Sequence, residues 1–137
     1  MAKVLIVDDE PFTRIMIRSV LESDGHSVVE ELSDATGINE FITRMKPDLV
    51  TMDILMPKSN GIEAVREIRS MNPNLPVVMI SELDLQPIIF QAVKAGINGY
   101  VLKPIVADTL SSEIKRIIER KSRATSRSEE ETGILAV

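Results

Sequence analysis

No cysteine occurs among the 137 residues, which excludes disulfides, thiol catalysis and cysteine-bound zinc. Histidine occurs once, as His26, so a multi-histidine metal centre and a histidine-based triad are both disfavoured. No apolar run is long enough to cross a bilayer as a helix. The opening residues, MAKVLIVDDE, pass straight into a strand-like run without a leader-type cleavage pattern, so a cytoplasmic protein is expected. Two glycine signatures are missing as well. No Gly-x-Gly-x-x-Gly follows the first strand-like run and no Gly-Lys-Ser/Thr loop occurs, so a nucleotide cradle is unsupported.

What is present suits one soluble domain: 44% of residues are hydrophobic and 27% charged. The net charge of −5 is unevenly spread. Residues 1–114 hold 17 acidic and 10 basic side chains, whereas residues 115–137 hold 4 acidic and 6 basic. An acidic body disfavours direct nucleic-acid binding, because phosphate contacts need Lys and Arg. No membrane association is expected either.

Two hydrophobic periods alternate along the chain. Short apolar runs at 3–9, 26–32, 48–53, 76–81 and 99–102 read as strands. Between them, apolar residues recur at helical spacing. Pro11 opens a helix with Ile15, Ile17, Val20 and Leu21. Ile38, Phe41, Ile42 and Met45 mark a second, and Ile62, Val65, Ile68 and Met71 a third. Pro87 and Gly96 bracket a fourth, and Leu110, Ile114, Ile117 and Ile118 face one way in a fifth. Five alternations predict an α/β, doubly wound, five-stranded parallel sheet with five helices on its two faces. Ligands of such sheets bind beyond the carboxyl ends of the strands.

Those ends carry chemistry. The first strand closes in Asp8-Asp9, the third in Asp53, the fourth in Ser81, and the fifth runs into Lys103. Asp53 is the odd one: it sits in the apolar stretch LVTMDILMP, where a lone buried carboxylate would be costly. It is expected to emerge at the sheet edge. Three converging carboxylates repel one another, and a hard divalent cation relieves that repulsion, with Mg²⁺ a better match than zinc. Taken singly, each residue has a plain structural explanation: Asp8 as a helix cap, Asp53 and Ser81 as turn residues, Lys103 as a solvated surface lysine. Their combination at one sheet edge favours a site. A carboxylate beside Mg²⁺ is a nucleophile toward phosphorus, with the cation, Lys103 and Ser81 each holding a phosphoryl oxygen.

These residues resemble the response-regulator receiver domains of two-component signalling, the CheY-like (flavodoxin-like) fold. The matching stretches are VLIVDDE (4–10), PDLVTMDILMP (47–57), NGIEAVREIR (60–69), PVVMIS (76–81) and AGINGYVLKP (95–104). The resemblance implies that Asp53 is the phosphoacceptor. It implies that Asp8, Asp9, Asp53 and the Leu55 backbone carbonyl hold Mg²⁺, with Mn²⁺ as an alternative. Lys103 and Ser81 become phosphate-contacting residues, Ser81 and Tyr100 the switch pair, and Lys103-Pro104 a cis peptide. A histidine kinase or phosphotransfer protein would be the donor. A downstream partner or output domain would read the face made by the fourth helix, fifth strand and last helix, and a homodimer could use the same face. The chain would catalyse only its own aspartyl phosphorylation and dephosphorylation.

Three departures and flanking features stand out. Glu82 follows Ser81 where the family has a small residue; it is expected to face solvent. Leu55 and Leu83, two residues beyond Asp53 and Ser81, are expected to shield the phosphoryl group from water. In PIIFQAV (87–93), Ile88, Ile89 and Phe90 cannot all face the core, so one is expected on the partner-facing side. The receiver unit is expected over 1–121, with 122–137 a disordered tail or truncated linker. Two other readings remain at this point: a Mg²⁺-dependent phosphatase with an aspartate nucleophile, and a phosphorylation-independent interaction module.

Overall fold

Val4, Leu5, Ile6 and Val7 lie in one continuous run, and all four are buried. Such a run forms the inner strand of a sheet covered on both faces. It is β1 (Lys3–Val7) of a parallel sheet completed by β2 (Ser27–Leu32), β3 (Leu49–Met52), β4 (Val77–Ser81) and β5 (Gly99–Leu102). The computed structural model describes residues 1–136. Strand order is β2-β1-β3-β4-β5, so the order reverses between β1 and β3, where such sheets open a crevice.

Five helices follow the strands: α1 (Pro11–Ser23), α2 (Ile38–Met45), α3 (Gly61–Met71), α4 (Gln86–Ala95) and α5 (Ala107–Ala136). The pleat sorts side chains between two cores. Leu5, Val7, Val50, Met52, Val77 and Met79 pack against α2, α3 and α4. Val4, Ile6, Leu49, Val78 and Ile80 pack against α1 and α5. Each buried Val, Leu or Ile contributes roughly 1.5–3 kcal/mol relative to an exposed one.

In α4, Ile88 packs on the first core, Ile89 is half-buried, and Phe90 is 61% exposed. Phe90 is thus the outward residue of the three, with the Lys94 ammonium 5.6 Å from its ring centre. The carboxyl end of α4 is held by Arg69 of α3. Its guanidinium donates to the carbonyls of Gly96 (2.9 and 2.6 Å), Asn72 (3.0 Å) and Leu75 (2.6 Å) and to Asn98 Oδ1 (2.9 Å). Those bonds use all five guanidinium donors and involve no carboxylate. Gly96 ends α4 with φ +110°, and a Cβ there would lie 2.9 Å from Arg69 Nε.

The backbone of α5 is helical to Ala136. From residue 122 on the segment has no proline, Ser, Thr, Glu and Arg make up most of it, and amphipathic periodicity has faded. Val137 lies outside the described residues. No helix among the described residues is long and apolar enough to cross a membrane.

Candidate functional site

Asp8 is the next residue after β1, and its pleat position follows Val4 and Ile6 toward α1 and α5. Asp53, next after β3, follows Leu49 and Thr51 toward the same side. The two carboxylates therefore meet. Among the described residues, one carboxylate oxygen from each of Asp8, Asp9 and Asp53 lies within 4.8 Å of the others.

Asp8 and Asp53 are buried, at 1% and 6% exposure. Asp53 lies at the carboxyl end of β3, beside Asp9 and Lys103, with little of it exposed. Its Oδ1 accepts a hydrogen bond from the Ile54 amide at 2.9 Å. Burial, and then repulsion by Asp8, push its pKa up to about 7, against the lowering pull of Lys103.

Lys103 is not a solvated surface residue. Its Nζ lies 2.9 Å from Asp8 Oδ2 and 3.5 Å from Asp53 Oδ2, with only 8% of the side chain exposed. Burial disfavours its charge, but the two carboxylates outweigh burial and hold its pKa above the usual lysine value. The Asp8 contact is electrostatic, because Oδ2 accepts no aligned hydrogen bond. The other Asp8 oxygen accepts from the Glu10 amide at 2.9 Å. Asp8 does not cap α1; Glu10 occupies that position. The Lys103-Pro104 peptide is cis.

Ser81 ends β4 on the other pleat, beside α4. Its Oγ accepts from the Leu83 amide at 3.1 Å. Tyr100, half-buried on the same side, donates its hydroxyl to the Leu83 carbonyl at 2.6 Å. One residue, Leu83, thus engages Ser81 through its amide and Tyr100 through its carbonyl. Burial raises the Tyr100 pKa.

The flanking residues separate. Leu55 is 62% exposed and lies, with Asp9, Met56 and Asn60, along a cavity of about 350 Å³. Leu83 instead packs against the core under α4, so only one of the two leucines stands at the site mouth. Glu82 is exposed and lines a second cavity of about 400 Å³ with Glu10, Phe12, Met16, Lys103 and Ile105.

Gly61 supports the site in a way the sequence pattern does not reveal. Its amide donates to the Ile54 carbonyl at 2.8 Å, and a Cβ would stand 1.9 Å from the Asp53 carbonyl oxygen. Arg14 was also missed. It donates to the Asp8 backbone carbonyl at 2.6 Å. No periodicity or strand-end argument marks an arginine on the first turns of a helix.

A doubly wound parallel sheet with a buried carboxylate cluster and a lysine at its carboxyl edge defines the class. The family described as response regulator receiver domain matches residues 4–115. The chain belongs to that family, whose members are phosphorylation-dependent signalling switches. The chemotaxis protein CheY of Thermotoga maritima is 34% identical over 115 residues, covering 84% of this chain and 96% of that protein. CheY of Bacillus subtilis is 35% identical over 116 residues, covering 85% and 97%. NtrX from Brucella abortus superposes with a TM-score of 0.87 at 30% identity, over 95% of this chain and 30% of its own. CheY of Borrelia burgdorferi, solved in a complex with CheX, BeF3 and Mg²⁺, gives a TM-score of 0.80 at 26% identity, over 85% of this chain and 88% of its own.

Proposed function

We propose that this chain accepts a phosphoryl group on Asp53 from a phosphohistidine of a kinase or phosphotransfer protein in the cytoplasm, and thereby changes its affinity for a downstream partner. The observation that carries this reading is the convergence of Asp8, Asp9 and Asp53 within 4.8 Å, with Lys103 against two of them.

In the transfer, an Asp53 carboxylate oxygen forms a bond to phosphorus as the P–N bond of the donor imidazole breaks, and the leaving nitrogen keeps the electron pair. Lys103 and Ser81 are placed to hold phosphoryl oxygens. The donor set fits Mg²⁺, or Mn²⁺: three carboxylates with hard oxygens, one of them, Asp8 Oδ2, buried without an aligned hydrogen bond. Asp8, Asp9, Asp53 and the Leu55 carbonyl would hold the ion. Bound there, it neutralises carboxylate and phosphoryl charge. The Borrelia complex with BeF3 and Mg²⁺ supports both halves of this assignment.

The Ser81–Leu83–Tyr100 linkage supports a route from the phosphoryl group to α4. Recruiting the Ser81 hydroxyl to a phosphoryl oxygen biases the loop that Tyr100 also holds. The face read by a partner, or by a second copy, is then that of α4, β5 and α5. Residues 1–121 form the signalling unit in this reading. The chain performs no chemistry on other molecules beyond taking up and losing its own phosphoryl group.

Incubation with Mg²⁺ and acetyl phosphate tests the proposal. The expected result is a mass gain of one phosphoryl group that disappears in Asp53→Asn and in EDTA. No gain in the native chain, or an undiminished gain in Asp53→Asn, would refute it.

A further inference from the structure

The peptide joining Asp8 to Asp9 lies just beyond β1, where the sheet stops supplying partners for the backbone. The Asp8 amide still donates to the Leu32 carbonyl of β2 at 2.9 Å. The Asp8 carbonyl is taken by Arg14, whose guanidinium donates to it at 2.6 Å. The guanidinium is itself braced, with Nε 3.5 Å from Glu31 Oε1. The other Glu31 oxygen accepts two hydrogen bonds from Arg18, at 2.9 and 2.6 Å.

We propose that Arg14 is a positioning residue of the acidic site: by holding the Asp8 carbonyl it fixes the peptide on which the Asp8 and Asp9 carboxylates are mounted. This inference rests on the reading of both aspartates as cation ligands. Two observations support it. Asp8 has independent restraints on its side chain, from the Glu10 amide and Lys103. Asp9 lacks comparable anchors: its carboxylate meets the Asp53 carboxyl, itself a member of the cluster. The orientation of Asp9 therefore depends on its backbone, and Arg14 is the side chain that holds that backbone.

Charge and geometry make opposite predictions. Glu31 balances the Arg14 charge, so what Arg14 adds is mainly position. If it acted only as a nearby positive charge, removing it would tighten cation binding. If it positions the ligands, removing it weakens binding. The groups behind metal ligands typically matter by about tenfold to a hundredfold in affinity.

The test is Mg²⁺ titration of the full chain by calorimetry, with urea unfolding as a check that each variant is folded. In Arg14→Gln the Mg²⁺ Kd is expected to rise about tenfold. Arg14→Lys keeps the charge but cannot engage the Asp8 carbonyl and Glu31 together, so its Kd should fall between the two. A folded Arg14→Gln with an unchanged or lower Kd overturns the proposal. If Arg14→Gln does not fold, Arg14→Lys decides: a wild-type Kd overturns the proposal and a raised Kd sustains it. A native chain that binds no Mg²⁺ overturns the metal-site reading and this inference with it, so the two failures are distinguishable.

Discussion

Lys103 Nζ lies closer to Asp8, at 2.9 Å, than to Asp53, at 3.5 Å. The lysine therefore offsets the cluster as a whole. Removing it leaves buried carboxylates unpaired, which typically costs about 3–5 kcal/mol. Lys103→Met is expected to lower the urea midpoint strongly in EDTA at pH 8. Mg²⁺ should recover more of the loss in the variant than it adds to the native chain, since the cation offsets the same charges. Urea titrations of both proteins, with and without Mg²⁺, measure this. An equal Mg²⁺ increment in the two would contradict it.

Asp53 sets a pH dependence of stability. Its folded pKa of about 7 lies above the ordinary 3.8, so the folded chain holds this proton more tightly than the unfolded one. That contribution favours folding below the unfolded pKa and is lost as pH rises through about 7. Asp53→Asn should therefore stabilise the metal-free protein at pH 8, by on the order of 2 kcal/mol. The advantage should shrink toward pH 4. Urea unfolding in EDTA across that range provides the check, and a gap that widens on acidification would be the wrong sign.

The hydroxyl of Tyr100 donates to the Leu83 carbonyl at 2.6 Å. Tyr100→Phe removes that bond while keeping the ring, at an expected cost of about 1 kcal/mol. Hydrogen exchange should accelerate at the amides of Leu83, Asp84 and Leu85, and little elsewhere. Uniform acceleration would instead point to a general loss of packing.

Gly61 faces the Asp53 carbonyl so closely that any Cβ collides with it, at 1.9 Å. Because the obstacle is backbone, Gly61→Ala must displace either the start of α3 or the residue bearing the acceptor. A loss of 3 kcal/mol or more, of the order seen for severe overpacking, is expected. Acetyl phosphate uptake should fall with it. Gly25→Ala is the comparison: a Cβ there meets nothing within 4 Å, although its φ of +86° carries some strain. It should leave uptake intact.

The sheet was legible because its inner strands are continuous apolar runs and its helices repeat at 3.6-residue spacing. The site was legible for the same reason: Asp8, Asp53, Ser81 and Lys103 interrupt those runs where strands stop. What escaped was whatever depends on how loops fold over the strand ends. The burial of Asp53 is of this kind. So is the parting of Leu55 from Leu83, two leucines at equivalent offsets, one exposed and one packed beneath α4. The roles of Arg14 and Arg69 were also invisible, because both act through backbone carbonyls, which leave no mark in a sequence pattern. The backbone of α5 beyond residue 121 carries no amphipathic period, the signal that placed the other helices.

The Arg69 clamp has a mechanical consequence. It grips α4 at Gly96, while the opposite end begins at Leu85 with no side-chain cap, two residues from Leu83, which Ser81 and Tyr100 hold. A ten-residue helix is about 15 Å long. A rotation of roughly 10° about the clamped end carries the Leu85 end through more than 2 Å and leaves Ala95 almost still. The exposed apolar side chains of Leu85 and Phe90 sit on the travelling half, so a small shift of one loop peptide becomes a larger displacement of surface at the far end of a rigid rod.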